Sequence, residues 1–207
     1  MKNLAGLFMS IALITFASFI HAQTIVGSLH DFSAQTWNTS GELCKVCHTP
    51  HNAVTLTDAP LWNHQLTTAT FAVYSSATMN AVVGQPDASS KLCLSCHDGT
   101  VALENFGGNV SGTHFLTGPT LLGTSLINDH PISFTYDALL ATTDGGLFNP
   151  MTTPSGLGGT INQNMLFSGK VQCASCHDVH NNAPGTPPSL LLKSNAASAL
   201  CLTCHNK

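Results

Sequence analysis

Cys44-Lys45-Val46-Cys47-His48, Cys93-Leu94-Ser95-Cys96-His97, Cys173-Ala174-Ser175-Cys176-His177 and Cys201-Leu202-Thr203-Cys204-His205 are four copies of one pentapeptide that use all eight cysteines of the chain. CxxCH is the attachment pattern of c-type haem. Two thiols at this spacing add to the two vinyl groups on one porphyrin edge. The histidine that follows then lies under the ring and offers its imidazole to the iron. Zinc sites do not require a histidine after every CxxC pair. A redox dithiol occurs once, near a βαβ pattern. Structural disulfides are common in exported chains, but leave four trailing histidines unexplained. Four covalently bound haem c groups are therefore expected, on Cys44, Cys47, Cys93, Cys96, Cys173, Cys176, Cys201 and Cys204, with His48, His97, His177 and His205 as proximal ligands.

Working outward, the rest of the chain is poor in the means to build an ordinary core. Only 8% of its 207 residues are charged, with six lysines and no arginine, and Thr, Ser, Asn and Gly are plentiful. Four large apolar porphyrins would supply the buried surface that such a chain lacks. The expected fold is mostly irregular coil, with short α-helices wrapped around a stack of four c-type haems and little β. A helical turn is expected at each motif. The scarcity of basic residues leaves nucleic-acid binding without an electrostatic footprint. Asn38-Thr39-Ser40 and Asn109-Val110-Ser111 fit a glycosylation pattern too short to carry weight.

The chain opens with a positive residue, Lys2, and an apolar run from Leu4 to Ile20, ending His21-Ala22. This describes a signal peptide over 1–22, cleaved after Ala22; an uncleaved anchor is the alternative. The mature chain, 23–207, would not span a membrane. It would pass through the periplasm toward the outer cell surface or the extracellular space.

The four motifs fall into two alternating types. His48-Thr49-Pro50-His51-Asn52 and His177-Asp178-Val179-His180-Asn181 carry a second histidine three residues on. Ser90-Lys91-Leu92-Cys93 and Ser198-Ala199-Leu200-Cys201 share another frame. This is a repeat of haem pairs. It suggests two modules, roughly 23–105 and 165–207, joined by a Gly/Thr/Asn-rich connection, Gly107 to Gly169, without clear helical periodicity.

Of the eleven histidines, His30, His51, His64, His114, His130 and His180 remain as distal candidates. Met79, Met151 and Met165 are the alternatives. His51 and His180 lie one turn beyond a proximal histidine and project to the same side as it. One haem takes its axial ligands from opposite faces, so each should reach a neighbouring haem. His130, in Asn128-Asp129-His130-Pro131, is held by the proline, and Asp129 or a carbonyl could fix its other ring nitrogen. His30 and His64 compete for the fourth place, and His114 ranks last. His30 lies near one end of the mature chain and the haem of His205 at the other. A head-to-tail assembly in which His30 ligates a neighbour's last haem is therefore an expectation.

His30-Asp31-Phe32-Ser33, Cys47-His48-Thr49-Pro50-His51-Asn52-Ala53, Leu61-Trp62-Asn63-His64, Leu92-Cys93-Leu94-Ser95-Cys96-His97-Asp98-Gly99, Asp129-His130-Pro131 and Cys176-His177-Asp178-Val179-His180 together resemble multihaem cytochromes of metal-reducing bacteria. They are most similar to the tetrahaem kind that polymerises into extracellular filaments. The resemblance covers nearly all of the mature chain. It implies four bis-histidine haems in alternating stacked and T-shaped pairs, in a little-structured fold. It also implies long-range electron transfer to other c-type cytochromes and to external acceptors such as ferric minerals. In such filaments a histidine of one subunit can ligate a haem of the next.

Three functions compete. An enzyme, such as a nitrogen- or sulfur-oxyanion reductase, needs an open iron position, and this chain has histidines enough to close every iron. A soluble periplasmic shuttle would steer to its partners with a charged face, which so few basic residues cannot build. The homopolymeric electron conductor is the favoured reading, with the soluble periplasmic shuttle as the alternative and a multihaem reductase behind it. Intact mass of the mature protein should equal the apoprotein plus four haems, unchanged by acid-acetone extraction; a smaller mass overturns the count.

Overall fold

The computed structural model describes residues 25–180 and 190–206. The expected signal peptide lies outside them, as does Asn181. Coil dominates. Among the described residues, four short α-helices, α1 (Ala88–His97), α2 (Ala138–Asp144), α3 (Ile161–Met165) and α4 (Cys201–Cys204), are interspersed with four two-residue strands, β1 (Ala72–Val73), β2 (Ser125–Leu126), β3 (Phe134–Thr135) and β4 (Lys170–Val171). β1 pairs with β2 in parallel and β3 with β4 antiparallel. The expected fold class, mostly coil with a few short helices and little β, is what the chain adopts.

Short side-chain devices fix the helices. Asp137 caps α2 by accepting from the Leu140 amide, and Gly145, at φ 71°, ends it in the left-handed conformation that glycine adopts without strain. Thr160 and Gln163 form a reciprocal capping box at the start of α3. α1 is buried along most of its length. Leu94 is fully buried and packs with Phe71 and Leu126, while Ser90 and Ser95 are buried because each serves a distant backbone. Ser90 Oγ accepts from the Cys173 amide at 2.9 Å and Ser95 Oγ from the Thr67 amide at 3.0 Å.

The larger apolar cluster holds Phe134, Tyr136, Ala141, Ile161, Met165, Val171 and Leu200. Most of these come from the stretch expected to be a plain connection. That stretch carries α2 and α3 and supplies the wall against which the third and fourth motifs pack. Hydrogen bonds also run between the two expected modules, 23–105 and 165–207. Asp87, at the start of α1, is bonded to both Lys170 and Gln172. Gln172, 1% exposed, accepts in turn from Ser133 Oγ at 3.0 Å. Burial alone would raise the Asp87 carboxyl, but hydrogen bonds from Lys170, Gln172 and Ser133 hold it below its usual range.

Gln172 is thus the buried joint between the second and third motifs. Gln172→Ala leaves Ser133 and Asp87 each short of a partner, and should cost about 2–3 kcal/mol. Urea unfolding of the haem-loaded protein checks this; a cost within experimental error removes the joint.

Candidate functional site

Each motif is wound into a single turn. The amide of the histidine donates to the carbonyl of the first cysteine at 2.8 Å for His48 and 3.0 Å for both His177 and His205, while His97 ends α1. One turn brings two thiols and the following imidazole to one local surface, as attachment along a porphyrin edge requires. Each turn is then pinned by a remote segment. His48 bridges to Trp62, His177 to Leu191 and Leu147 to His205, and the His97 carbonyl accepts from the Leu122 amide at 2.8 Å.

The alternation of types is structural as well as sequential. In the first and third motifs the second cysteine's carbonyl accepts from a returning strand, Asn63 at 2.9 Å and Leu192 at 2.8 Å. In the second and fourth, the hydroxyl between the cysteines bonds back to the carbonyl four residues earlier, Ser95 to Lys91 at 2.7 Å and Thr203 to Ala199 at 2.9 Å.

Three motif histidines face a histidine from elsewhere in the chain. Ring centroids lie 6.0 Å apart for His48 and His180, 6.0 Å for His97 and His30, and 6.3 Å for His205 and His130. Two imidazoles on opposite faces of one metal, each about 2 Å from it through nitrogen, put their centroids roughly 6 Å apart. The spacing fits an iron between each pair. The ring nitrogens fit too. Nδ1 of His48 faces the Pro60 carbonyl at 2.7 Å, that of His97 the Thr120 carbonyl at 2.8 Å and that of His130 the Pro131 carbonyl at 2.8 Å. A carbonyl held there fixes Nδ1 as the protonated nitrogen and leaves Nε2 to a metal. His30 is half-buried, and its Nδ1 atom is buried with no hydrogen-bond partner. Burial, then the nearby His97, His177 and His180, push it down to about 4, so the ring is neutral, as a ligand must be.

Several expectations change here. His30 sits against His97 of its own chain, and His205 already faces His130. The expected bridge from His30 to a neighbour's last haem would have to compete with this intrachain pairing. His64, the rival to His30, is a buried wedge. It is 1% exposed, stands edge-on to Trp62 and lies 3.6 Å from Cys96 Sγ. Its two nitrogens face the carbonyls of Gln65 at 2.9 Å and Ala102 at 3.1 Å. His114 is half exposed, and its Nδ1 donates to Glu104 at 2.7 Å. Met165 is buried in the larger apolar cluster. His51 is exposed.

No two of the eight cysteines are joined in a disulfide. Burial, then the neighbouring Cys44, pushes Cys47 up to about 11. Burial, then Cys47 and Asp98, pushes Cys96 up to about 12. Burial, then Cys176, pushes Cys204 up to about 11. A hydrogen bond between Cys93 and Cys173 raises the first and lowers the second. These influences run from first motif to second, second to third and third to fourth, so the sites are neighbours in chain order.

Residues 165–207, with the third and fourth motifs, match the family described as a doubled CXXCH motif. The match supports a multihaem c-type cytochrome. No curated protein matches the chain closely enough to count as a relative. The first two motifs lie outside the matched residues yet repeat their two types in order. Among the described residues, no helix is long and apolar enough to cross a membrane.

Sequence reasoning passed over Glu104. Its carboxylate gathers the Thr113 amide at 2.6 Å, the His114 amide at 3.0 Å and the His114 ring, closing the loop between them. Against burial, these bonds hold it down to about 2. The stability it contributes is present above the ordinary glutamate range and is lost as pH falls toward 2. At neutral pH, Glu104→Gln should speed amide exchange at Thr113 and His114 roughly tenfold; unchanged exchange means the loop is held by something else.

Proposed function

We propose that the mature chain carries four covalent haems, each iron between two histidines, and passes electrons along them after export, assembled head to tail as an extracellular filament. One observation carries the reading: three of the four motif histidines face a histidine at the spacing that one shared iron requires. Bound haem supplies a one-electron ferric/ferrous couple. The chain's residues would bind and orient the four groups. His30 would serve the haem of His97, His180 that of His48, and His130 that of His205. The repeat gives His51 to the haem of His177, in exchange for the histidine that the third motif lends the first.

With two histidines on every iron no position is left for a substrate, which favours electron transfer over catalysis. With no methionine ligand the potentials should be low. Neighbouring motifs in chain order favour a continuous path from haem to haem. The surface favours assembly over diffusion. Side chains such as Val26, Leu29, Val82, Val110 and Ile127 are exposed, and a chain with six lysines and no arginine cannot present a strongly basic docking face. External acceptors such as ferric minerals, and other c-type cytochromes as donors, are part of the same reading.

The wild-type protein should show only low-spin ferric signals by electron paramagnetic resonance, with no methionine–iron band in the near infrared. His130→Ala should leave one iron high-spin, whereas His64→Gln should leave all low-spin and cost stability alone. A high-spin iron in wild type overturns the closed-iron reading. Negative-stain microscopy of material shed by producing cells should show filaments; particles that stay single at high concentration return the protein to the soluble shuttle.

A further inference from the structure

Two motif histidines are followed directly by an aspartate, and the two aspartates differ in burial. Asp178, after His177, keeps 31% of its side chain exposed. Asp98, after His97, is 5% exposed. Its Oδ2 accepts from the Thr67 hydroxyl at 2.5 Å, and its Oδ1 from the Thr100 amide at 2.7 Å and hydroxyl at 2.8 Å. Thr67 is itself fully buried, and its amide is tied to Ser95 on α1. The carboxylate is therefore locked against the helix that bears Cys93 and Cys96. All these partners are donors, the pattern an acceptor-only anion satisfies, and all are neutral. Burying a charge without a counter-ion is costly, and neither the cap of α1 nor the apolar clusters need this one. The other two motif histidines are followed by Thr49 and Asn206, which carry no charge.

We propose that Asp98 is a potential-setting residue, a buried anion that favours the ferric form of the haem on Cys93, Cys96 and His97 and makes it the hardest of the four to reduce. This rests on the reading that this motif carries a haem. Reduction adds one electron to the iron and removes one unit of its positive charge, with no proton and no co-reactant needed. A fixed negative charge in a dry surrounding therefore opposes the step, and does so far more than the same charge in water. Asp178, wetted and beside His180, is the built-in comparison: same position after the motif, screened by solvent. The path would thus carry a deliberate step at its second site.

Asp98→Asn is the direct test. The amide oxygen can keep both Thr100 bonds, and its nitrogen can donate to Thr67, whose hydroxyl turns to Thr100 Oγ1, 3.0 Å away. Peptide mass mapping comes first and asks whether Cys93 and Cys96 bear haem; a bare peptide in wild type defeats the parent reading before any potential is measured. With haem content and low-spin spectra matched, a redox titration followed by site-resolved NMR should show the haem of His97 shifted to higher potential. Its ferric/ferrous equilibrium should move roughly tenfold. Asp178→Asn should move the haem of His177 by clearly less. An unchanged or lowered potential at His97, or an equal shift from Asp178→Asn, overturns the proposal. If Asp98→Asn does not fold, the wild-type order decides: the haem of His97 must be the most negative of the four, and any other order overturns the role.

Discussion

A CxxCH turn supplies one imidazole on one face of a flat ring, and nothing in that turn can supply the second. On the proposed reading the chain meets this need from a distance. His30 reaches the second motif from the N-terminal side, His180 returns to the first motif from beyond the third, and His130 comes to the last from the middle. Such pairings cannot be made by long helices, whose neighbours are local. They suit a chain of short turns joined by coil and pinned by isolated bridges.

How far this was legible in the sequence depends on the range of the interaction. The attachment turns are local chemistry, so the pentapeptide states them outright. His130 could also be read, because Pro131 fixes the chain beside it and, in the structure, lends its carbonyl to the ring. His180 could be expected to leave its own motif, because one ring cannot take both ligands from one side. His30 and His64 were not separable, since both stand in turn-rich sequence and their difference is tertiary. His64 meets two carbonyls and Trp62 in a closed wall, while His30 keeps a buried nitrogen without a protein partner. The stretch before the third motif was underrated for another reason. Its helices are one to two turns long, too short for periodicity to register, although Asp137 and the Thr160–Gln163 box announce their starts.

The scarcity of charge also has a structural meaning. Where other chains would set ion pairs, this one uses hydroxyls and amides. Ser90, Ser95, Thr67 and Thr203 each join a motif to a remote segment, and Gln172 stands between Asp87 and Ser133. Uncharged donors and acceptors cost less to bury, which matters around groups meant to exclude water. The few charges that are buried consequently stand out.

The contact between His48 and His180 orders events in time. If the chain is exported from its N-terminus, as proposed, the first motif emerges long before residue 180, so the first site to appear would be among the last to close. The second site, served by His30, can close early. Loop-closure entropy works against pairing two residues so far apart in sequence. Maturation therefore cannot run simply from one end to the other: the beginning of the protein is finished by its end.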